Sequence, residues 1–425
     1  MDIKEYCRCF DGYSYNNLLF AKATAHLITG RLLVRHKQFL DFGFRKIDPR
    51  SSVIFLKPTA SGGSSAFDFV KKICDALEIK VRAVDEATDA ALIGTDEVTM
   101  DEETGEEIHT PKGGLFGNPE VDIIYIDEGS VLFMKNPPPH SSKTRNYIQK
   151  VLNPMGSATS KLTKEMAHVT IDRDPDQSMY VVLFDPETID STVIRTGFMQ
   201  RSITIHKTMT LKDRMDNMFR DIDLQGTVID KTAIDQLITS FKETEEFIKK
   251  TPKYSVDEGT KELEKSYVED ALNTLLRTSN FLQEEGASFV QLYVGRHFPV
   301  LSWHHAIWRG SAVIETEDVK YAYMEVLRPA FLDVISWIES KSEVKKAGQV
   351  EKSEENIIKE LYNEIIKDNK CVVNNSYISK SDLTEAIRES MNVSEATAKR
   401  KIEDLFHRGK VERYREGKAV YIRVI

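Results

Sequence analysis

Between residues 50 and 206 the chain carries four short, nearly continuous apolar runs, at 52–56, 121–126, 179–184 and 202–205. Such runs predict strands buried on both faces, as in a parallel sheet covered by helices. A further β element is predicted at 80–84. The segments between carry helical spacing: Leu18, Leu19, Ala21, Ala25, Leu27 and Leu32 within 12–45, and residues 66–77 after the first run. Strands alternating with helices predict an α/β fold with a parallel sheet, its functional residues at the carboxyl ends of the strands.

The polar, acidic stretch 96–112 reads as a surface turn. From 210 to 345 the pattern is helical. Acids and bases alternating from Asp216 to Glu285 suggest a solvated helical hairpin, whereas Trp303, Ile307, Trp308, Val319, Met324, Leu327, Phe331 and Ile335 predict a more buried helical subdomain. A polar linker follows. Residues 355–425 then predict three helices and two short strands, the outline of a winged helix, with Ser394 as N-cap of the third helix.

Bulk properties narrow the setting. A chain of 425 residues with 41% hydrophobic residues supports two to four domains with real cores. A formal charge of −9 excludes a uniformly basic coat, so nucleic-acid binding would need local patches. Cys7, Cys9, Cys74 and Cys371 have no metal-ligand spacing and read as reduced structural thiols. No apolar run approaches the roughly 20 residues that span a bilayer, and the first residues lack a secretory h-region. The expectation is a soluble, cytoplasmic protein with no membrane partner.

The chemistry-bearing signal follows the first apolar run. Lys57-Pro58-Thr59-Ala60-Ser61-Gly62-Gly63-Ser64 has the outline of a phosphate-binding loop between strand and helix. In the usual pattern a glycine opens the loop and a lysine precedes the closing Ser/Thr. Here Lys57 stands at the first glycine and Gly63 at the lysine, while Ser64 keeps the metal-binding hydroxyl. Lys57, Ser61, Gly62, Gly63, Ser64 and Ser65 are therefore the candidate phosphate ligands, with Lys57 reaching back toward the phosphates as one rescue of the missing cation. A glycine- and serine-rich turn without any ligand is the plain alternative. Downstream, an apolar strand ends in Asp127-Glu128, which suits a magnesium-organising carboxylate followed by a base that orients water.

Further segments occur in a suggestive order. Thr88-Asp89-Ala90-Ala91-Leu92-Ile93-Gly94-Thr95 and Gly113-Gly114-Leu115-Phe116 precede the acidic strand, Asp185-Pro186 ends the next, and Gly197-Phe198-Met199-Gln200-Arg201 follows. With the altered loop, these resemble the MCM-like AAA+ ATPases and related replicative helicase ATPases of phages and plasmids, over roughly residues 15–340. The resemblance implies ATP and Mg2+ as ligands, with Ser64 and Asp127 holding the metal. It implies Asp185 at the sensor-1 position, Arg201 as an arginine finger acting on a neighbouring subunit, and Arg296 as a sensor-2 residue opening a lid that closes near Glu315. It also places a DNA-touching β-hairpin at 160–172, with Lys161 and Lys164 toward phosphate. In the C-terminal unit Lys399, Arg400 and Lys401 fall on the recognition-helix position, and Arg408, Lys410, Arg413, Arg415 and Lys418 on the wing.

The expected domain order is an N-terminal helical segment (1–45), an AAA+-like P-loop core (46–215), a helical hairpin and lid (216–345), a linker (346–354) and a winged helix (355–425). The function this implies is an ATP-dependent DNA-replication motor of a phage or mobile element, an ATPase and helicase working on DNA as a ring homo-oligomer. The alternative is a catalytically inactive homologue that binds DNA as an assembly or tethering factor, favoured by the missing lysine. A nucleotide-sensing transcriptional regulator is a third reading.

Overall fold

In the computed structural model, residues 1–14, 17–41, 46–58, 61–84, 87–101, 104–134, 137–141, 143–186, 193, 197–223, 231–278, 283–341, 358–359, 361–363, 365–366, 377–391, 394–407, 410–417 and 419–424 are described. The chain divides into two compact units, Met1–Ser342 and Glu343–Ile425. Among the described residues no helix is long and apolar enough to cross a membrane.

The first unit is built on a five-stranded, wholly parallel sheet. Its strands are β1 (Val53–Lys57), β2 (Val81–Val84), β3 (Ile123–Ile126), β4 (Ser178–Phe184) and β5 (Ile203–His206), in the spatial order β5-β1-β4-β3-β2. All five residues of β1 and all four of β3 are buried, as expected for runs covered on both faces. The segments after β1, β2 and β3 all precede strands on one side of β1. Only the last connection crosses β1 to add β5 at the other edge.

The Ile3–Ser14 and Leu18–Arg35 helices do not stand apart from the sheet. Phe20 stacks on Phe55 of β1 with ring centroids 4.0 Å apart, and Tyr6 and Phe10 meet Phe69 of the Gly63–Ala76 helix edge-on. One contiguous cluster of buried side chains runs from these helices through the sheet to the Gln283–Trp308 and Arg328–Lys341 helices. The Lys231–Lys250 helix also contributes Ile234, Leu237, Phe241 and Ile248 to that core. The stretch expected to be a solvated hairpin is therefore partly a core element.

Residues 96–112 are not a turn. Gly94–Met100 and Glu107–Gly113 pair antiparallel from Gly94 opposite Gly113 to Met100 opposite Glu107. Val98, Met100 and Ile108 are exposed, so neither face carries the apolar alternation that betrays a half-buried strand. A second hairpin, Leu162–Glu165 with Thr170–Arg173, matches the expected one. The two lie side by side, with His109 and His168 stacked at 3.9 Å.

At the amino end of β1, Arg50 is almost wholly buried. It grips both carboxylate oxygens of Asp48 (2.7–3.1 Å) and donates to the carbonyls of Val151, Gln177 and Asn153. Burial pushes the Asp48 carboxyl up, but the Arg50 guanidinium more than offsets this and holds it below the ordinary range. Removing one partner of such a pair strands a buried charge. Arg50→Met is expected to cost about 3–5 kcal/mol of unfolding free energy, read from chemical denaturation.

In the second unit, Lys380–Met391 and Glu395–His407 are helices, and Ile378–Ser379, Val411–Glu416 and Ala419–Val424 form an antiparallel sheet. Ser394 caps the second helix, its hydroxyl accepting from the Thr397 amide at 3.2 Å. Ile378, Leu383, Ile387, Ala398, Ile402 and Ile422 form a separate small core.

Candidate functional site

β1 delivers the loop and the Gly63–Ala76 helix follows it without a break in the described residues beyond 59–60, where Thr59 and Ala60 lie outside them. Gly62, the N-cap, has φ of 77°, a left-handed conformation that glycine adopts without steric cost. The first turn of a helix leaves its amides without intrahelical partners and carries the positive end of the macrodipole. Ser64 and Ser65 are exposed on that turn, and it carries no acidic residue. Ser61 is 1% exposed, and its hydroxyl has no hydrogen-bond partner among the described residues. An orphaned buried hydroxyl beside unpaired amides is a donor set suited to an anion.

Lys57, the last residue of β1, is 7% exposed, with its ammonium 5.2 Å from the centre of the Phe184 ring. Burial lowers its pKa, and the Asp127 and Glu128 carboxylates act in the opposite sense. Its side chain lies across Gly63. A Cβ on residue 63 would stand 2.5 Å from the Lys57 Nζ, 2.7 Å from Cδ and 2.8 Å from Cε.

The strand order sets what surrounds this loop. β4 lies between β1 and β3, so Lys57, Asp185 and Asp127 follow or end three adjacent strands at the same edge of the sheet. The Asp185 amide donates to the Lys57 carbonyl at 3.2 Å, and the Asp127 amide to the Val84 carbonyl at 3.2 Å. Glu128 is exposed and adopts φ of 60°, a left-handed conformation uncommon for a residue with a side chain. Gly129 follows because a Cβ there would lie 2.5 Å from Val181 Cγ1. Close packing under Gly129 thus pins the turn that presents Glu128.

Asp185 is not an isolated acid. The indole of Trp337, on the Arg328–Lys341 helix, donates to its Oδ1 at 2.7 Å, and His206 Nε2 stands 3.7 Å from its other oxygen. Trp337 and His206 carry no motif, and sequence reasoning missed both. The indole N–H bonded to Asp185 offsets part of the negative charge that this carboxylate brings to the strand ends.

A cleft of about 510 Å³ opens over the loop, a volume in the range of small-molecule sites. Lys57, Ser61, Gly62, Gly63, Ser64, Ser65 and Phe184 form one wall, and Arg214, Asn217, Met218 and Asp221 of the Leu211–Asp223 helix form the other. The second wall was also missed. Its signal is present in the sequence: Leu211, Met215, Met218, Phe219 and Ile222 recur at helical spacing and are all exposed, in a helix with no buried residue.

Arg201 and Arg296 lie elsewhere. β5 runs parallel to β1 with Ile203 opposite Val53 and His206 opposite Leu56, so Arg201 sits at the amino end of the sheet and the loop at its carboxyl end. Five residues of strand separate them, about 16 Å. Both arginines line a second cleft of about 440 Å³ with Lys46, Asp48, Asn153 and Gln200. Arg201 Nε donates to Asn153 Oδ1 at 2.7 Å, and its guanidinium also donates to the Gly197 carbonyl. Arg296 donates to the Leu152 carbonyl; burial, with Arg50 and Arg201 adding to it against Asp48, lowers its pKa to about 10. Arg296 is thus not brought to the loop of its own chain.

The basic residues expected to meet DNA are partly engaged. Lys161 pairs with Asp172 at 3.3 Å, and Lys164 donates to the Gly94 carbonyl at 2.7 Å, tying one hairpin to the other. In the second unit Lys399 pairs with Glu395, while Arg413 pairs with Glu403 and lies 3.8 Å over the Phe406 ring. Lys401 is half-buried, and Arg400 and Arg415 are exposed. Arg408 and Lys418 fall outside the described residues, as do Cys371 and the predicted linker. No cluster of three or more His, Cys, Asp or Glu side chains suited to a metal occurs among the described residues. No protein-family profile and no curated protein matches this chain.

Proposed function

We propose that this chain is a P-loop NTPase of the AAA+ type, an ATP-driven motor that acts on DNA as a ring of identical subunits. One observation carries the reading. The glycine loop, Asp127-Glu128 and Asp185 leave the carboxyl ends of three adjacent parallel strands, β1, β3 and β4, with β4 inserted between the other two. Ligands of open parallel sheets bind outside the carboxyl ends of the strands, where these groups converge.

In this reading the loop amides, the Ser61 hydroxyl and the helix N-terminus hold the nucleotide's phosphates. Ser64 and Asp127 are the residues that would hold Mg2+, which supplies charge neutralisation on the phosphates. One carboxylate and one hydroxyl suffice, because magnesium keeps waters and phosphate oxygens as its other ligands. Glu128 orients the attacking water and accepts its proton. Arg201 serves the neighbouring subunit, since the length of the sheet keeps it from its own loop. Arg296, on the same cleft, is offered to that neighbour as well.

In this reading the second unit binds DNA, with the Lys380–Met391 and Glu395–His407 helices and the three-stranded antiparallel sheet among its described residues as parts of a winged helix. Exposed Arg400 and Arg415 are its phosphate contacts in this reading. The paired Lys161 and Lys164 would have to exchange their present acceptors for phosphate. The test is turnover of MgATP by the full chain with and without single-stranded DNA. The expected result is hydrolysis that rises several-fold with DNA. Binding without hydrolysis would leave the inactive tethering factor, and no nucleotide binding at all would overturn the reading.

A further inference from the structure

We infer that Lys57 is the phosphate-binding cation of this site, supplied from the start of the loop, and that its side chain uses the space left open by glycine at residue 63. This rests on the phosphate-site reading above and names the residue that completes it. The ligand class is the di- or triphosphate chain of a nucleotide.

Three observations converge. First, the Lys57 ammonium lies 2.5 Å from where a Cβ of residue 63 would be, so it occupies the root of the volume in which a lysine at 63 would begin. Second, Lys57 is 7% exposed, and its ammonium makes no ion pair within 4.0 Å among the described residues. Burying a charge this way is costly unless a ligand or a partner compensates it. Asp127 and Glu128 compensate only at longer range, and the face of Phe184 adds a weak cation–π contact. Third, the Ser61 hydroxyl, buried in the same loop and in a residue lining the same cleft, lacks a partner among the described residues as well. An anion seated on the first turn of the Gly63–Ala76 helix would satisfy both groups.

The register places the Lys57 stem over the loop. Phe184 of β4 is the cross-strand partner of Lys57, and its exposed ring flanks the ammonium, so the stem is steered over the loop. The stem then passes within 2.7–2.8 Å of the residue-63 Cβ position, so a side chain there would have to displace it. The ammonium, set beside the helix's first turn, faces the phosphate held by the loop amides. Its loss should therefore weaken diphosphate and triphosphate binding alike.

The test compares wild type, Lys57→Met, Lys57→Gln, Gly63→Lys and the double exchange Lys57→Gly/Gly63→Lys, all in the full chain. MgATP, MgADP and inorganic triphosphate binding are measured by calorimetry, beside thermal melting of each protein. The expected result is at least tenfold weaker binding of all three probes by Lys57→Met and Lys57→Gln at unchanged melting temperature. Gly63→Lys alone should bind no better than wild type, whereas the double exchange should recover to within a few-fold of it. If wild type binds the probes and both Lys57 variants bind within twofold of it, the inference fails and the phosphate site stands. Tighter binding by Gly63→Lys with Lys57 in place would also overturn the inference. If wild type binds none of the three probes, the phosphate-site reading itself fails. Were the Lys57 variants to melt early, recovery by the double exchange decides, since it restores charge without restoring residue 57.

Discussion

Glu128→Gln is expected to bind MgATP within about twofold of wild type while its turnover falls by at least about 100-fold, the span of a lost general base. The substitution keeps size and hydrogen-bonding capacity but removes the group that, in the proposed function, accepts the proton of the attacking water. Binding should survive because the side chain is exposed beyond the strand end and does not line the loop cleft. The backbone should survive because the left-handed turn is pinned by Gly129 under Val181 rather than by the carboxylate. A nucleotide-trapped, hydrolysis-deficient protein is the expected state. Turnover within tenfold of wild type would remove Glu128 from the chemistry, and an equal loss of binding would show that it had served the ground state instead.

The parts of this site legible in the sequence are those that depend on one segment at a time. Residues 53–56 and 123–126 read as buried strands because apolar side chains on both faces need cover on both faces. The turn signal at Gly62 and the carboxylates at the exit of 123–126 could be placed on strand ends for the same reason. What periodicity cannot supply is order across the sheet. Nothing in 178–184 says that it inserts between the two earlier strands, yet that insertion gathers Lys57, Asp185 and Asp127 at one edge.

Residues read by position in a linear pattern fared differently from residues read by the space they fill. Counted along the loop, the cation is missing at Gly63; measured in space, the Lys57 ammonium stands there. Counted along the chain, Asp185 is a lone acid at the end of a strand, but a tryptophan 152 residues away donates to it. Arg296 matched a sensor by order and lies instead with Arg201 and Asp48 at the far end of the sheet. The hairpin at 94–113 was hidden for a simpler reason: its charged and polar residues on both faces leave no period-two signal.

That far cleft carries the second large prediction. Arg201→Ala is expected to lower turnover by about 10³-fold or more, the scale of a lost arginine finger, without weakening nucleotide binding by its own loop. The geometry gives the reason: parallel β1 and β5 hold Arg201 and the loop at opposite ends of one sheet, so no side-chain motion joins them within one chain. Mixing supplies the decisive arm. A subunit with Arg201→Ala keeps an intact loop and Glu128, and a subunit with Glu128→Gln keeps Arg201. In a closed ring built at random from equal amounts of the two, about one interface in four pairs the intact halves. Two inactive proteins should therefore recover up to about a quarter of the wild-type rate when mixed and reassembled. A mixture as inactive as its components would overturn action between subunits. Arg201→Ala also frees Asn153 and the Gly197 carbonyl from the guanidinium, so its melting curve must be taken alongside. Recovery on mixing separates the two effects, because a fold weakened by those lost bonds is not repaired by a neighbour's arginine.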